Sequence, residues 1–83
     1  MQLIEIQAIK DEIKSRIESG DYITLSKILL VKRNTAVTRF ERNKKHAVLI
    51  MRDIINEKEK TILKLKNKYS TYNNKLYTHE KSI

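Results

Sequence analysis

The sequence predicts an all-α protein: three short helices that include a helix-turn-helix, followed by a long C-terminal helix and a flexible tail. Three observations carry this expectation. The 83 residues contain one glycine and no proline, so little interrupts a helix. Apolar residues recur at three- and four-residue steps along most of the chain, the period of an amphipathic helix. Strict alternation of apolar and polar residues, the mark of a half-buried strand, is not sustained anywhere. The length allows one domain, expected over residues 1–69, with the tail at 70–83.

The first helix is expected over residues 3–18. Ile6, Ile9, Ile13 and Ile17 make one apolar stripe, and Glu5, Lys10, Asp11, Glu12, Lys14 and Arg16 mostly occupy the other faces. Gly20 follows the stripe, where a left-handed residue ends a helix at little cost. Asp21 then suits the N-cap of a second helix beginning at Tyr22. Tyr22, Leu25, Ser26 and Leu29 share a face, and Ser26 is small enough for another helix to approach. This helix should end near Leu30, which stands where a turn glycine is usual.

A third helix is expected to start between Lys32 and Thr35, with Asn34 as its cap. At about 100° per residue, Ala36, Val37, Phe40 and Asn43 fall on one side. Asn34, Thr35, Thr38 and Arg42 fall on the other, with Arg39 at their flank. Asn43 is the expected stop, because asparagine tolerates the left-handed conformation next best after glycine. The long helix should run from about Lys45 to Tyr69. Val48, Met51, Ile55, Ile62, Leu65 and Tyr69 fit a seven-residue repeat interrupted by Lys58, with Ala47 and Ile54 widening it at the start. Its second half is charged with a narrow apolar seam, so it should either pack back on the first helix or pair with another copy as a homodimer.

Charge is unevenly placed. The formal total is +8, made of −1 over residues 1–20, +5 over 21–45 and +4 over 46–83. Dense lysine and arginine attract phosphates whatever the base sequence. The chain has no cysteine, which excludes disulfides and cysteine-based zinc sites. His46 and His79 are far apart with no second ligand nearby, so neither metal nor cofactor is expected. No Ser/His/Asp or Cys/His grouping and no glycine-rich phosphate loop is present, and Asp11–Glu12 and Glu57/Glu59 read as solvent-facing charge. An enzyme with a small-molecule substrate is therefore not expected. No apolar run reaches the roughly 18 residues of a membrane span. MQLIEIQAIKDEIK has acids inside its apolar pattern and no small-residue cleavage site, unlike a signal peptide.

Residues 21–43 have what a helix-turn-helix requires. Leu25, Ser26 and Leu29 on one helix face Ala36, Val37 and Phe40 on the next, and the second helix turns short polar and long cationic side chains outward. Thr35, Thr38 and Arg42 are the candidates for base contacts in double-stranded DNA: threonine for a base edge or thymine methyl, arginine for guanine O6 and N7. Arg33, Asn34, Arg39, Lys44 and Lys45 flank them and are the candidates for phosphate contacts.

The stretch GDYITLSKILLVKRNTAVTRFERNKKHAVLIM resembles the small helix-turn-helix DNA-binding proteins of phages and mobile elements in Bacteroidetes-type bacteria. Gly20, Asp21, Tyr22, Leu25, Leu29, Val31, Thr35, Ala36, Arg39, Phe40, Arg42, Ala47 and Val48 carry the resemblance, over roughly residues 20–56. Leu30 replaces the turn glycine of that pattern, Lys32 its capping serine, and Asn43 the glycine after the recognition helix. The resemblance implies sequence-specific DNA binding by a small phage-type transcriptional regulator or accessory factor; with no targeting segment visible, the expected compartment is the cytoplasm of a bacterial or phage-infected cell. A helical protein-interaction module, a dimeric adaptor without sequence-specific DNA binding, is the alternative expectation. The apolar excess in the first helix and in Ala47–Ile55 favours that alternative.

Overall fold

In the computed structural model, the backbone of residues 2–82 and the side chains of residues 2–70 are described. The order is α1 (Leu3–Ile13), a 3-10 turn (Lys14–Arg16), α2 (Ser19–Leu29), α3 (Arg33–Glu41) and α4 (Lys45–Ser82), with no strand among the described residues. The protein is thus all-helical, as the periodicity predicts. The helix α4 continues past the expected end near Tyr69; the tail expected over 70–83 otherwise lies outside the residues whose side chains are described. No described helix is long and apolar enough to cross a membrane.

One core joins all four helices. Ile6 and Ile13 of α1, Leu25 of α2, Ala36 and Phe40 of α3, and Ala47, Val48, Met51 and Ile55 of α4 are buried together. Each large side chain among them contributes about 1.5–3 kcal/mol on burial. So short a list leaves a domain of this size dependent on polar contacts as well. The edge is formed by Ile9, Ile17, Tyr22, Leu29, Val31, Ile50 and Ile54. From Glu59 to Ser70 every residue of α4 is exposed, so this stretch leaves the core behind.

Two expected boundaries are corrected. The first helix ends at Ile13 rather than near residue 18; Lys14–Arg16 tighten into a 3-10 turn, and Ile17 is extended (φ −78°, ψ 131°). Gly20 is not a left-handed terminator but lies in the first turn of α2, without a positive φ. The cause is the pair Glu18 and Asp21. Glu18 is extended, and its N–H donates to Asp21 Oδ2 at 2.8 Å, while the Asp21 N–H donates to the Glu18 carbonyl at 2.9 Å. Asp21 therefore occupies the third helical position, not the N-cap, and its carboxylate satisfies a donor at the helix start.

Two lysines depart from the expected faces. Lys10 is buried: its Nζ donates to the Glu41 carbonyl at the end of α3 at 3.0 Å and sits 5.6 Å from the Phe40 ring centre. It supplies a cation and a donor where α3 leaves carbonyls without helical partners. Lys58, which interrupts the seven-residue repeat, reaches back to the start of α2. Its Nζ donates to Asp21 Oδ2 at 2.8 Å, Asp21 Oδ1 at 3.0 Å and Glu18 Oε1 at 2.9 Å. Asp21 is only 4% exposed, so this charge needs its partner. A parallel clamp ties the 3-10 turn to α4: Arg16 donates from Nε to Glu59 Oε2 at 3.0 Å and from a terminal nitrogen to Asn56 Oδ1 at 2.9 Å. The Glu59 carboxyl is held below its usual range by that hydrogen bond from Arg16.

Replacing Lys58 by methionine should keep the stem packing and leave Asp21 with the Glu18 N–H alone. The expected loss is about 2 kcal/mol of unfolding free energy in urea titrations. Hydrogen bonds donated to Asp21 and then to Glu18 hold the Lys58 ammonium above the ordinary lysine value of 10.5. A raised pKa of this kind contributes stability that is complete below 10.5 and is lost as pH rises through the higher folded value. The difference between wild type and Lys58→Met should therefore stay constant around neutral pH and shrink in strong alkali.

Candidate nucleic-acid interface

The joint between α2 and α3 is made by Leu30 itself. Its φ of 57° and ψ of 44° are left-handed, the conformation a glycine would normally supply. The N–H groups of Leu30 and of Val31 (at 3.0 Å) both donate to the Ser26 carbonyl, which closes the helix end. Val31 turns inward to the edge of the core. Lys32 is extended (φ −69°, ψ 153°) and precedes the first residue of α3, with its carbonyl accepting from the Ala36 N–H at 3.0 Å. The turn is therefore short, and Lys32 rather than Asn34 is the residue before the helix. Asn34 lies inside the first turn of α3, exposed.

The other end of α3 is closed in the same way. Asn43 has a φ of 58°, as its residue type suggests, and the Lys44 N–H donates to the Arg39 carbonyl at 3.0 Å. Asn43 Nδ2 donates to Gln7 Oε1 at 2.7 Å, and Gln7 Nε2 donates to Asp11 Oδ1 at 2.8 Å, which ties this corner to α1.

Between these joints the expected faces of α3 are present. Ala36 and Phe40 are fully buried and Val37 is half-buried. The Phe40 ring meets Tyr22 edge-on, with centres 5.9 Å apart at 79°. Burial, and next the Glu41 carboxylate, push the Tyr22 phenol up, so it stays neutral at physiological pH. Thr35, Thr38, Arg39 and Arg42 are exposed. Arg42 stands just past the last turn of α3 rather than within it. The Thr38 hydroxyl donates to the Asn34 carbonyl at 2.9 Å, which leaves its oxygen lone pairs and methyl group outward. Arg33 stacks over the Tyr22 ring at 5.8 Å, which places it at the α2 side of the helix start.

The cations around α3 are not neutralised. From Tyr22 to His46 the only acid is Glu41, and its carboxylate lies 3.7 Å from Lys10. Arg33, Arg39, Arg42, Lys44 and Lys45 make no ion pair with any described residue, whereas Lys10, Arg16, Arg52, Lys58 and Lys60 all do. Arg39, Lys44 and Lys45 line one shallow groove together with Leu29, His46 and Ala47. His46 is a neighbour that sequence spacing did not single out, because it becomes adjacent to Arg39 only once α3 and α4 meet at a corner. Lys27 in α2 and Lys32 just before α3 are also exposed cations that helical spacing does not single out. Lys44 and Lys45 crowd the positive end of the α4 dipole, with no acid in its first turn. That arrangement disfavours the isolated helix and favours an anion.

No family model, curated protein or solved structure matches this chain.

Leu30 is 90% exposed, so its side chain does little to offset the left-handed backbone, a conformation that costs a non-glycine residue about 1–2 kcal/mol. Leu30→Gly should raise stability by about 1 kcal/mol and the melting temperature by about 4–8 °C in thermal unfolding. Asn43→Gly should bring no such gain, since it removes the hydrogen bond to Gln7.

Proposed function

We propose that the protein is a helix-turn-helix DNA-binding protein, a small regulator or accessory factor of the phage type, acting in the cytoplasm of a bacterial or phage-infected cell. One observation carries the reading: the cations of α3 and the α3–α4 corner are exposed and lack acidic partners among the described residues, and Glu41 is the only acid in the sequence between Tyr22 and His46. The tight turn at Leu30 supports it, because it keeps the buried face of α3 on the core and leaves the other for a major groove. In this reading Thr35, Thr38 and Arg42 meet base edges. Thr38, its proton engaged by Asn34, offers an acceptor to a base amino group or a methyl to thymine. Arg33, Asn34, Arg39, Lys44 and Lys45 meet phosphates, and the anion-favouring start of α4 adds to their attraction. The exposed apolar residues of α2 and α4 favour a second reading, a helical interaction module that does not bind DNA specifically.

Fluorescence anisotropy with random and selected duplexes over a salt series separates the two readings. Affinity for DNA should fall linearly with salt on logarithmic axes, with a slope near 0.9 for each phosphate neutralised. Arg42→Ala should cost about 1–3 kcal/mol on the preferred duplex and relax base preference. Lys45→Ala should weaken all duplexes alike and reduce the slope by about one. Undetectable or salt-independent binding would leave the interaction-module reading.

A further inference from the structure

We infer that α4 pairs antiparallel with α4 of a second copy, so that the exposed stretch after Glu59 lies in the groove between α2 and α4 of the other chain. This inference stands on surfaces separate from the DNA-facing cations and does not rest on them.

The groove has a volume of about 550 Å³. Its floor is apolar, with Ile28, Ile50 and Ile54, and Asp53 and Glu57 stand along its rim. Ile28 is 52% exposed, a large apolar side chain left open in a folded domain. At one end Asp21 and Lys58 engage each other. The groove therefore suits an apolar helix face flanked by positive charge.

The same chain carries such a face. From Lys60 to Ser70 there are four lysines and no acid, and Ile62 and Leu65 are each 44% exposed. At about 100° per residue, Ile50, Ile54, Thr61 and Leu65 lie within about 60° of one another on α4. Asp53, Glu57, Lys60, Lys64 and Lys68 lie together along one flank of that stripe, within about 80°. A two-fold axis between Glu59 and Lys60 brings Ile54 opposite Leu65 of the second copy. On the shared flank, Glu57 then falls between Lys60 and Lys64 of the second copy, and Asp53 between Lys64 and Lys68. Among the described residues of one chain these acids have only long, exposed ion pairs, Lys60–Glu57 at 3.6 Å and Arg52–Asp53 at 3.8 Å, which are cheaply exchanged. A parallel pair would instead turn this flank of the two copies to opposite sides of the seam, so that the acids would not meet the lysines. Charge therefore favours the antiparallel arrangement, over an overlap from residue 50 to residue 69 of about 30 Å.

The absence of cysteine allows a register test on the full chain. Ile54→Cys and Leu65→Cys proteins, mixed and oxidised, should form the mixed disulfide dimer in preference to either symmetric one. Sedimentation velocity should show a dimer for the unaltered protein, and Asp53→Lys with Glu57→Lys should weaken it at least about tenfold. Adding Lys60→Glu and Lys64→Glu to that same chain should restore it, with circular dichroism confirming that each variant remains helical. Three outcomes would overturn the inference: a monomer at all concentrations, preferential Leu65→Cys self-crosslinking, or a dimer indifferent to the charge reversals.

Discussion

The ammonium group of Lys58 is the contact on which the arrangement of the helices depends. It is held between Asp21 and Glu18, and those two residues also begin α2. The Glu18–Asp21 pair sets where α2 starts, and the cation fixes how that start lies on α4. The orientation of α3 follows, because only a short turn separates it from α2. The small core cannot impose this alone. Apolar burial is non-directional, and one more or one fewer helical residue before Tyr22 would bury similar area. Hydrogen bonds to a nearly buried carboxylate are directional, and an Asp21 left without its cation would be strongly disfavoured.

The parts of this fold that were legible in the sequence are those set by periodicity. Ile6 and Ile13, Leu25, Ala36 and Phe40, and Val48, Met51 and Ile55 were each placed on a buried face by spacing, and each is buried. Asn43 was legible for a different reason: its residue type suits the backbone it adopts. What could not be read depends on partners distant in the chain. Gly20 resembles a helix terminator until Asp21 is seen accepting from the Glu18 N–H, which pulls the helix start ahead of it. Lys10 resembles a surface residue until the end of α3 arrives with a bare carbonyl. Lys58 resembles a flaw in a heptad until α2 supplies two carboxylates. In each case a polar group changes sides because of a contact more than thirty residues away, or because of the helix boundary that such a contact fixes.

The candidate interface was legible in its residue types and illegible in its joints. Thr35, Thr38, Arg39 and Arg42 are exposed as the face analysis required, but Leu30 could have signified either a continuous helix or a strained turn. Tertiary packing decides between them. With α2 locked to α4 and Phe40 buried against Tyr22, a straight continuation through Leu30 would carry Ala36 and Phe40 away from the core. Losing Phe40 alone from a buried position costs about 3–5 kcal/mol, more than the 1–2 kcal/mol of a left-handed leucine. The turn is therefore adopted despite its residue.

The same balance bears on how charge is distributed. Glu18, Asp21 and Glu59 engage Lys58 and Arg16 where α4 meets α2 and the 3-10 turn, away from the outer face of α3. Neutralising the cations of α3 in the same way would require acids between Tyr22 and His46, where Glu41 alone occurs and is engaged with Lys10. Lys44 and Lys45 at the start of α4 add further repulsion and work against the helix dipole. A chain selected for stability alone would place acids there. The unfavourable local charge at that corner, beside a helix whose outer face is polar throughout, is the cost that binding an anionic backbone would offset.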